Sequence, residues 1–243
     1  MLSTEITMSN NNFINALLGY RTTGKLPIIA EIKASTPQSP DLLQQRSVTS
    51  IARQYESAGM ACISVVTGRW FGGSTNLLEQ VAVATSLPIL RKDFIVSCSA
   101  INHSRQLGAS AVLLTKKLIE KKTLERLIDH TLTLGMTPFV EVDSLTELDG
   151  LQLDEQVVVA VCNRDIRTRE TDDGDISTSL SLLEHAQITG AGAVVSASAI
   201  TSAEEASQLI NAGYNGLLIG TAFLQAANLG QHLNQFSQAL VLK

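Results

Sequence analysis

Glu31 and Lys33 sit two residues apart at the end of an apolar run that starts at Leu26. In an extended chain, side chains two apart share a face, so this carboxylate and ammonium lie next to one another. A second apolar run, Leu87-Pro88-Ile89-Leu90, breaks into Arg91-Lys92-Asp93-Phe94, and the same alternation puts Leu90, Lys92 and Phe94 on one face. A lysine whose stem is held in apolar surroundings is poised to release a proton, because loss of water disfavours its charged form. The bland alternative is a lysine snorkelling past a strand end with Asp93 as its surface partner. Glu141 follows Phe139 by the same spacing of two. Crowding charges of mixed sign into one mouth drives their pKa values apart and yields one acid and one base near neutral pH.

Two further stretches carry chemistry of another kind. Gly220-Thr221, followed by Ala222-Phe223-Leu224, reads as a strand end feeding a short helix whose first N–H groups are free to grip phosphate. Phe71-Gly72-Gly73-Ser74 offers an aromatic lid residue, two hinges and a serine to cap the next helix, or else an ordinary helix-entry loop.

These residues need a scaffold that brings them together. Strands are expected at Leu26–Lys33 and Ala61–Val66, and around Ile89, Val112, Phe139, Val159, Val194 and Leu218. Between them fall helical patterns at Val48–Met60, Leu77–Ala84, Ala100–Leu107, Leu118–Leu134, Leu145–Gly150, Ser177–His185, Ala203–Ala212 and Leu229–Leu240. Gly59, Gly108, Gly135 and Gly213 follow four of them as left-handed caps. Eight strand–helix units in about 215 residues is the size of one (β/α)8 TIM barrel. We therefore expect an α/β chain with one barrel domain over 1–243. Residues 1–25 form an N-terminal extension, and Phe13–Leu18 a short helix across one end. An open doubly wound sheet is the rival, but no GxGxxG opens any of these helices. In the barrel reading the polar residues collect where the strands end: Glu31 and Lys33, Lys92, Glu141 and Asp143, Asn163-Arg164-Asp165, Ser196 and Ser198, Gly220 and Thr221. That rim is where barrels carry their sites.

Composition agrees. Of 243 residues 44% are hydrophobic and only 4% aromatic, which suits buried parallel strands rich in aliphatic side chains. A net charge of −5 provides no basic field for nucleic acid or an anionic membrane, so any anion must be gripped locally. Cys62, Cys98 and Cys162 form no CxxC pair and His103, His130, His185 and His232 no HxxxH, so neither disulfides nor a metal is expected. The setting is read as cytoplasmic: no signal peptide or transmembrane run is seen.

The ordered set Ile29-Ala30-Glu31-Ile32-Lys33, Ile63-Ser64-Val65-Val66-Thr67, Phe71-Gly72-Gly73-Ser74, Leu90-Arg91-Lys92-Asp93-Phe94, Val140-Glu141-Val142 and Asn163-Arg164-Asp165-Ile166 resembles the indole-3-glycerol phosphate synthase family, from about Phe13 to Leu240. The resemblance implies a carboxy-lyase of tryptophan biosynthesis that closes the indole ring of carboxyphenylamino-deoxyribulose phosphate with loss of carbon dioxide and water. It implies no cofactor, a small phosphorylated substrate, and association with other tryptophan-pathway enzymes as a partner to consider.

Carried over by position, it makes Lys92 the general acid toward the ketone, Glu141 the partner in dehydration and Glu31 the residue that orients the lysines. Lys33 would meet a substrate anion, with Thr36 and Pro37 nearby in place of the family's Ser-Pro. Phe71, Phe94 and Leu113 would wall the anthranilate ring. Asn163, Arg164 and Ser198 would bind substrate, with Arg164 facing its carboxylate side. Ala199, Gly220 and Thr221 would hold phosphate, with Ala199 able to donate its N–H provided its φ stays negative.

The chain departs from the pattern at Cys162, where the family has asparagine, and at Ala197-Ser198-Ala199, where it has Glu-Ser-Gly. Cys162 and Ala197 are expected to border one sub-site. Two other readings follow: a paralogue acting on a related phosphorylated amino-sugar adduct, and a non-catalytic binding barrel.

Overall fold

Valine, isoleucine, leucine and alanine fill the strands because both faces of each strand are covered. The computed structural model describes residues 13–165 and 174–240. Its eight parallel strands are β1 (Leu26–Ile32), β2 (Met60–Val66), β3 (Ile89–Lys92), β4 (Ala111–Thr115), β5 (Thr137–Val142), β6 (Val158–Cys162), β7 (Ala193–Ala197) and β8 (Gly216–Ile219). They pair in chain order, and β8 returns to β1, with Ile28–Ala30 against Leu217–Ile219, to close a barrel. All strand residues are buried except Lys92, the last of β3. This is the (β/α)8 architecture that the alternating pattern foretold.

The helices are α1 (Phe13–Leu18), α2 (Tyr20–Thr23), α3 (Val48–Ser57), α4 (Thr75–Ala82), α5 (Cys98–Gln106), α6 (Lys121–Thr133), α7 (Leu145–Leu148), α8 (Ser177–Gln187), α9 (Ala203–Ala212), α10 (Thr221–Gln225) and α11 (Leu229–Leu240). The four expected glycines all take positive φ behind their helices. None of the described helices is long and apolar enough to cross a membrane.

Alternation along the strands sorts side chains into two cores. Ile29, Leu90, Leu113, Phe139, Ala160, Val195 and Leu218 meet inside the barrel, while Ile28, Ile63, Val112, Val140, Val159 and Leu217 face the helices. α1 stops the amino-terminal end: Phe13, Ile14 and Leu17 join the inner core. The Phe13 ring stands edge-on to Phe139, with centroids 6.2 Å apart. Leu17 lies so close to the start of β8 that a Cβ on Gly216 would sit 2.6 Å from it. The inner floor is thus apolar, and among the described residues the buried charged groups, Glu31, Lys33, Arg91 and Glu141, lie toward the opposite end.

Some boundaries differ from expectation. α4 and α5 start two residues before the first apolar positions, since Ser74 and Ser97 stand before polar first turns. α3 stops at Ser57 because Met60 already belongs to β2, and Lys116–Leu118 is a separate 3-10 turn before α6. Residues 1–12 of the N-terminal extension and Ile166 lie outside the described residues.

Candidate active site

Three strand ends create the charged centre. Glu31 on β1 lies between two ammonium groups, 3.2 Å from Lys33 Nζ through Oε1 and 3.6 Å from Lys92 Nζ through Oε2. Both Glu31 and Lys33 are buried, at 2% exposure. Burial by itself would raise the Glu31 carboxyl, but Lys92 and Lys33 outweigh it and hold the group below the ordinary carboxylate range. The Tyr55 hydroxyl of α3 donates to the Glu31 carbonyl at 3.1 Å and anchors the strand end. Across the barrel closure, a Cβ on Gly220 would fall 2.6 Å from Glu31 Oε1, so glycine there makes room for the carboxylate. Asp93 is not the partner of Lys92: it is held by Arg91 at 3.0 Å and by the Thr67 hydroxyl at 2.7 Å, just past the end of β3.

Two cavities open from this centre and meet at Arg164 and Ser198. The first, about 330 Å3, is walled by Val66, Trp70, Phe71, Phe94, Leu113 and Leu118, and has Lys92, Glu141 and Cys162 among its polar lining. The second, about 660 Å3, includes Glu31, Lys33, Thr36, Ala199, Gly220 and Thr221 in its lining. The expected Phe71, Phe94 and Leu113 are therefore on one side and the expected anion-binding residues on the other. Pro37 lines neither cavity and is exposed. Lys117, which sequence reasoning passed over, is 2.5 Å from Asp143 and 3.4 Å from Asp165, tying together the segments after β4, β5 and β6. Burial opposes its charge, but the two aspartates prevail and raise its pKa. The paired Lys116-Lys117 just past a strand was the available signal.

The ends of β6 and β7 depart from expectation. Cys162 points into the barrel and Asn163, the next residue, points out. The Asn163 amide donates to the Ser196 hydroxyl at 3.1 Å and to the Ser198 carbonyl at 3.0 Å, and its oxygen accepts the Ser179 N–H at 2.9 Å. It bridges β6, β7 and α8 and lines neither cavity, so its expected substrate contact is not seen. Ala197 is buried in the inner core and likewise lines neither cavity; only Cys162 borders the first. Burial, with Glu141 adding to it, pushes the Cys162 thiol up to about 12, so it stays protonated and unreactive at neutral pH. Its Sγ lies 3.5 Å from the Ser198 hydroxyl. Ser198 and Ala199 adopt φ of 67° and 55°, so the negative φ expected at Ala199 is wrong. Left-handed backbone at two consecutive non-glycine residues is strained, and the Asn163 bond to the Ser198 carbonyl helps to hold it.

A closed parallel barrel whose carboxyl-terminal rim gathers a carboxylate and two lysines beside an aromatic-walled cavity defines a (β/α)8-barrel protein built for acid–base chemistry. The family model described as indole-3-glycerol phosphate synthase matches residues 2–236. The chain is 39% identical over 219 residues to the indole-3-glycerol phosphate synthase of Carboxydothermus hydrogenoformans, covering 90% of this chain and 81% of that one. It is 37% identical over 220 residues to that of Pyrococcus furiosus, covering 90% and 95%. The chain belongs to the indole-3-glycerol phosphate synthase family. Among solved structures, a 3-hexulose-6-phosphate synthase from Salmonella typhimurium superposes with a TM-score of 0.66 at 13% identity, over 88% of this chain and 98% of that one. A mutant tryptophan synthase alpha-subunit from Pyrococcus furiosus does so with a TM-score of 0.63 at 13% identity, over 88% and 97%. These two share the fold.

Proposed function

We propose that this protein converts 1-(2-carboxyphenylamino)-1-deoxyribulose 5-phosphate to indole-3-glycerol phosphate, with loss of carbon dioxide and water, as a cytoplasmic enzyme of tryptophan biosynthesis. The observation that carries the reading is the Glu31 carboxylate shared by Lys33 and Lys92 at the junction of an aromatic-walled cavity and a polar one, in a chain of this family. A substrate with an aryl group at one end and a phosphate at the other has these two needs. The ring sits among Phe71, Phe94 and Leu113, its carboxylate toward Arg164. The phosphate meets backbone N–H groups at Ser198-Ala199 and Gly220-Thr221, with Lys33 and Thr36 at its side.

Lys92 gives a proton to the ketone oxygen while the ring carbon bearing the carboxylate attacks the ketone carbon. Carbon dioxide then leaves, and the electrons of the broken bond restore the aromatic ring. Finally the new hydroxyl departs as water with a proton from the lysine cluster, as Glu141 accepts the proton shed by the five-membered ring. Glu31 keeps both ammonium groups aimed. In that pathway it would associate with other tryptophan-pathway enzymes.

Incubating the protein with this substrate and following indole fluorescence tests the reading directly. Lys92→Ala should lower kcat by about 10²–10⁴, the usual worth of a general acid, in a protein that still folds. Near-wild-type turnover by folded Lys92→Ala removes Lys92 as the acid, and no product from wild type removes the assignment.

A further inference from the structure

We infer that Trp70, outside the residue set that the family resemblance supplies, forms the outer wall of the first cavity and makes it select an aromatic ring. Nine large apolar side chains are exposed among the described residues, and three of them, Trp70 at 43%, Phe94 at 40% and Leu118 at 48%, line this one cavity. Exposed apolar surface gathered at the lip of a cavity marks a place where a ligand is covered. The Trp70 and Phe94 rings are stacked, with centroids 4.6 Å apart and planes inclined by 23°. That distance does not admit a third ring between them, so the pair covers a seated ring from above while Phe71 and Leu113 hold it below.

The indole is held in place by its own loop. Trp70 is the middle residue of the 3-10 turn Arg69–Phe71. The Gly68 carbonyl accepts N–H bonds from Phe71 at 3.2 Å and Gly73 at 3.0 Å, and the Phe71 carbonyl accepts from Ser35 at 3.1 Å. A Cβ on Gly68 would lie 2.7 Å from the indole, and one on Gly73 2.5 Å from the Val66 carbonyl. The indole thus packs on the bare backbone of Gly68, and Gly73 has no room for a side chain against the end of β2, which fixes the turn that carries Trp70 at the cavity lip. A flat π-surface held so favours an aryl group of the anthranilate class over an aliphatic group of equal volume.

The inference rests on the functional reading above, and the experiment separates the two. The probes are the substrate with its ketone reduced to an alcohol, which cannot close the ring, the cyclohexyl counterpart of that analogue, and inorganic phosphate. Trp70 is the single tryptophan of the chain, so its emission reports on this wall alone. The reduced analogue should change that emission and phosphate should not. Trp70→Leu, which keeps apolar bulk, should bind the analogue about two- to tenfold more weakly, the worth of one lost stacking contact, with phosphate affinity unchanged. Trp70→Phe should restore most of the affinity, and the preference for aryl over cyclohexyl should shrink in Trp70→Leu only. Unaltered emission at calorimetric saturation, or wild-type discrimination by Trp70→Leu, overturns the role of Trp70 and leaves the functional reading standing. No binding of the analogue by wild type overturns that reading and this one with it.

Discussion

At Cys162 a neutral thiol stands where the family carries an amide, and at Ala197 a buried methyl stands where it carries a carboxylate. Only the thiol borders a cavity, so the sub-site beside Glu141 has lost one polar lining group and kept the Ser198 hydroxyl. A substrate hydroxyl left unpaired there costs about 1–3 kcal/mol, or roughly ten- to a hundredfold in kcat/KM. Cys162→Asn combined with Ala197→Glu should raise kcat/KM on the family substrate by more than the two single changes multiplied, because adjacent strand ends couple. A double variant no faster than wild type makes both departures neutral. Residue placement was legible wherever alternation along a strand was followed through, as at Glu31, Lys33 and Lys92, which meet at the rim. Asn163 was misjudged although the same rule held the answer: with Cys162 facing in, its neighbour must face the helices. The left-handed turn at Ser198-Ala199 had no signal in its own residue types, neither of which favours positive φ, and only the glycine of the family pattern at position 199 hinted at it.

Strand ends are held in register by contacts that reach from one element to the next. The Lys117 clamp on Asp143 and Asp165 joins the segments that carry Glu141 and Arg164. Lys117→Met should leave these segments free to shift, and a displacement near 1 Å can cost up to about 10²-fold in rate. The loss should appear in kcat, with melting temperature little changed; an unaltered kcat would make the clamp ornamental to catalysis. Gly220 does the same between β8 and β1. Gly220→Ala drives a methyl against the Glu31 carboxylate and should cut activity at least as strongly as Glu31→Gln, which steady-state assay of the two variants side by side will decide. Element order and type were readable because periods of two and 3.6 alternate without interruption. Boundaries were less so: Ser97, which caps α5, and Ser74, which stands at the N-cap of α4 without a side-chain bond, precede polar turns that carry no apolar mark, and Thr36-Pro37 gave no sign that its proline faces solvent.

Over the whole molecule, stability and chemistry lie at opposite ends of one barrel. α1 seals the amino-terminal end with Phe13 against Phe139, and Phe13→Ala should cost about 3–5 kcal/mol by denaturant unfolding while kcat at 25 °C stays as it was. The rim works the other way, and pH exposes it. Because Lys92 and Lys33 hold Glu31 below the ordinary carboxylate range, its ion pairs contribute their full stabilisation above the unfolded value, about 4.3. That contribution fades as pH falls from there through the lower, folded value. The melting temperatures of wild type and Glu31→Gln, compared from pH 7 down to pH 3, should therefore converge in acid; a constant gap would mean that Glu31 carries no charge-linked stability. The closure of β8 on β1 also has a consequence in time. Glu31 and Gly220 are about 190 residues apart in sequence, and a ribosome adding roughly 5–20 residues per second takes on the order of 10–40 s to travel from one to the other. Throughout that interval the first strand has an open hydrogen-bonding edge, and for the first part of it Lys92, the second partner of Glu31, has yet to be made. The nascent chain is both inactive and most exposed to mispairing until its last strand is made, so a chaperone that shields β1 during synthesis would protect the yield of active enzyme more than one acting on the finished chain.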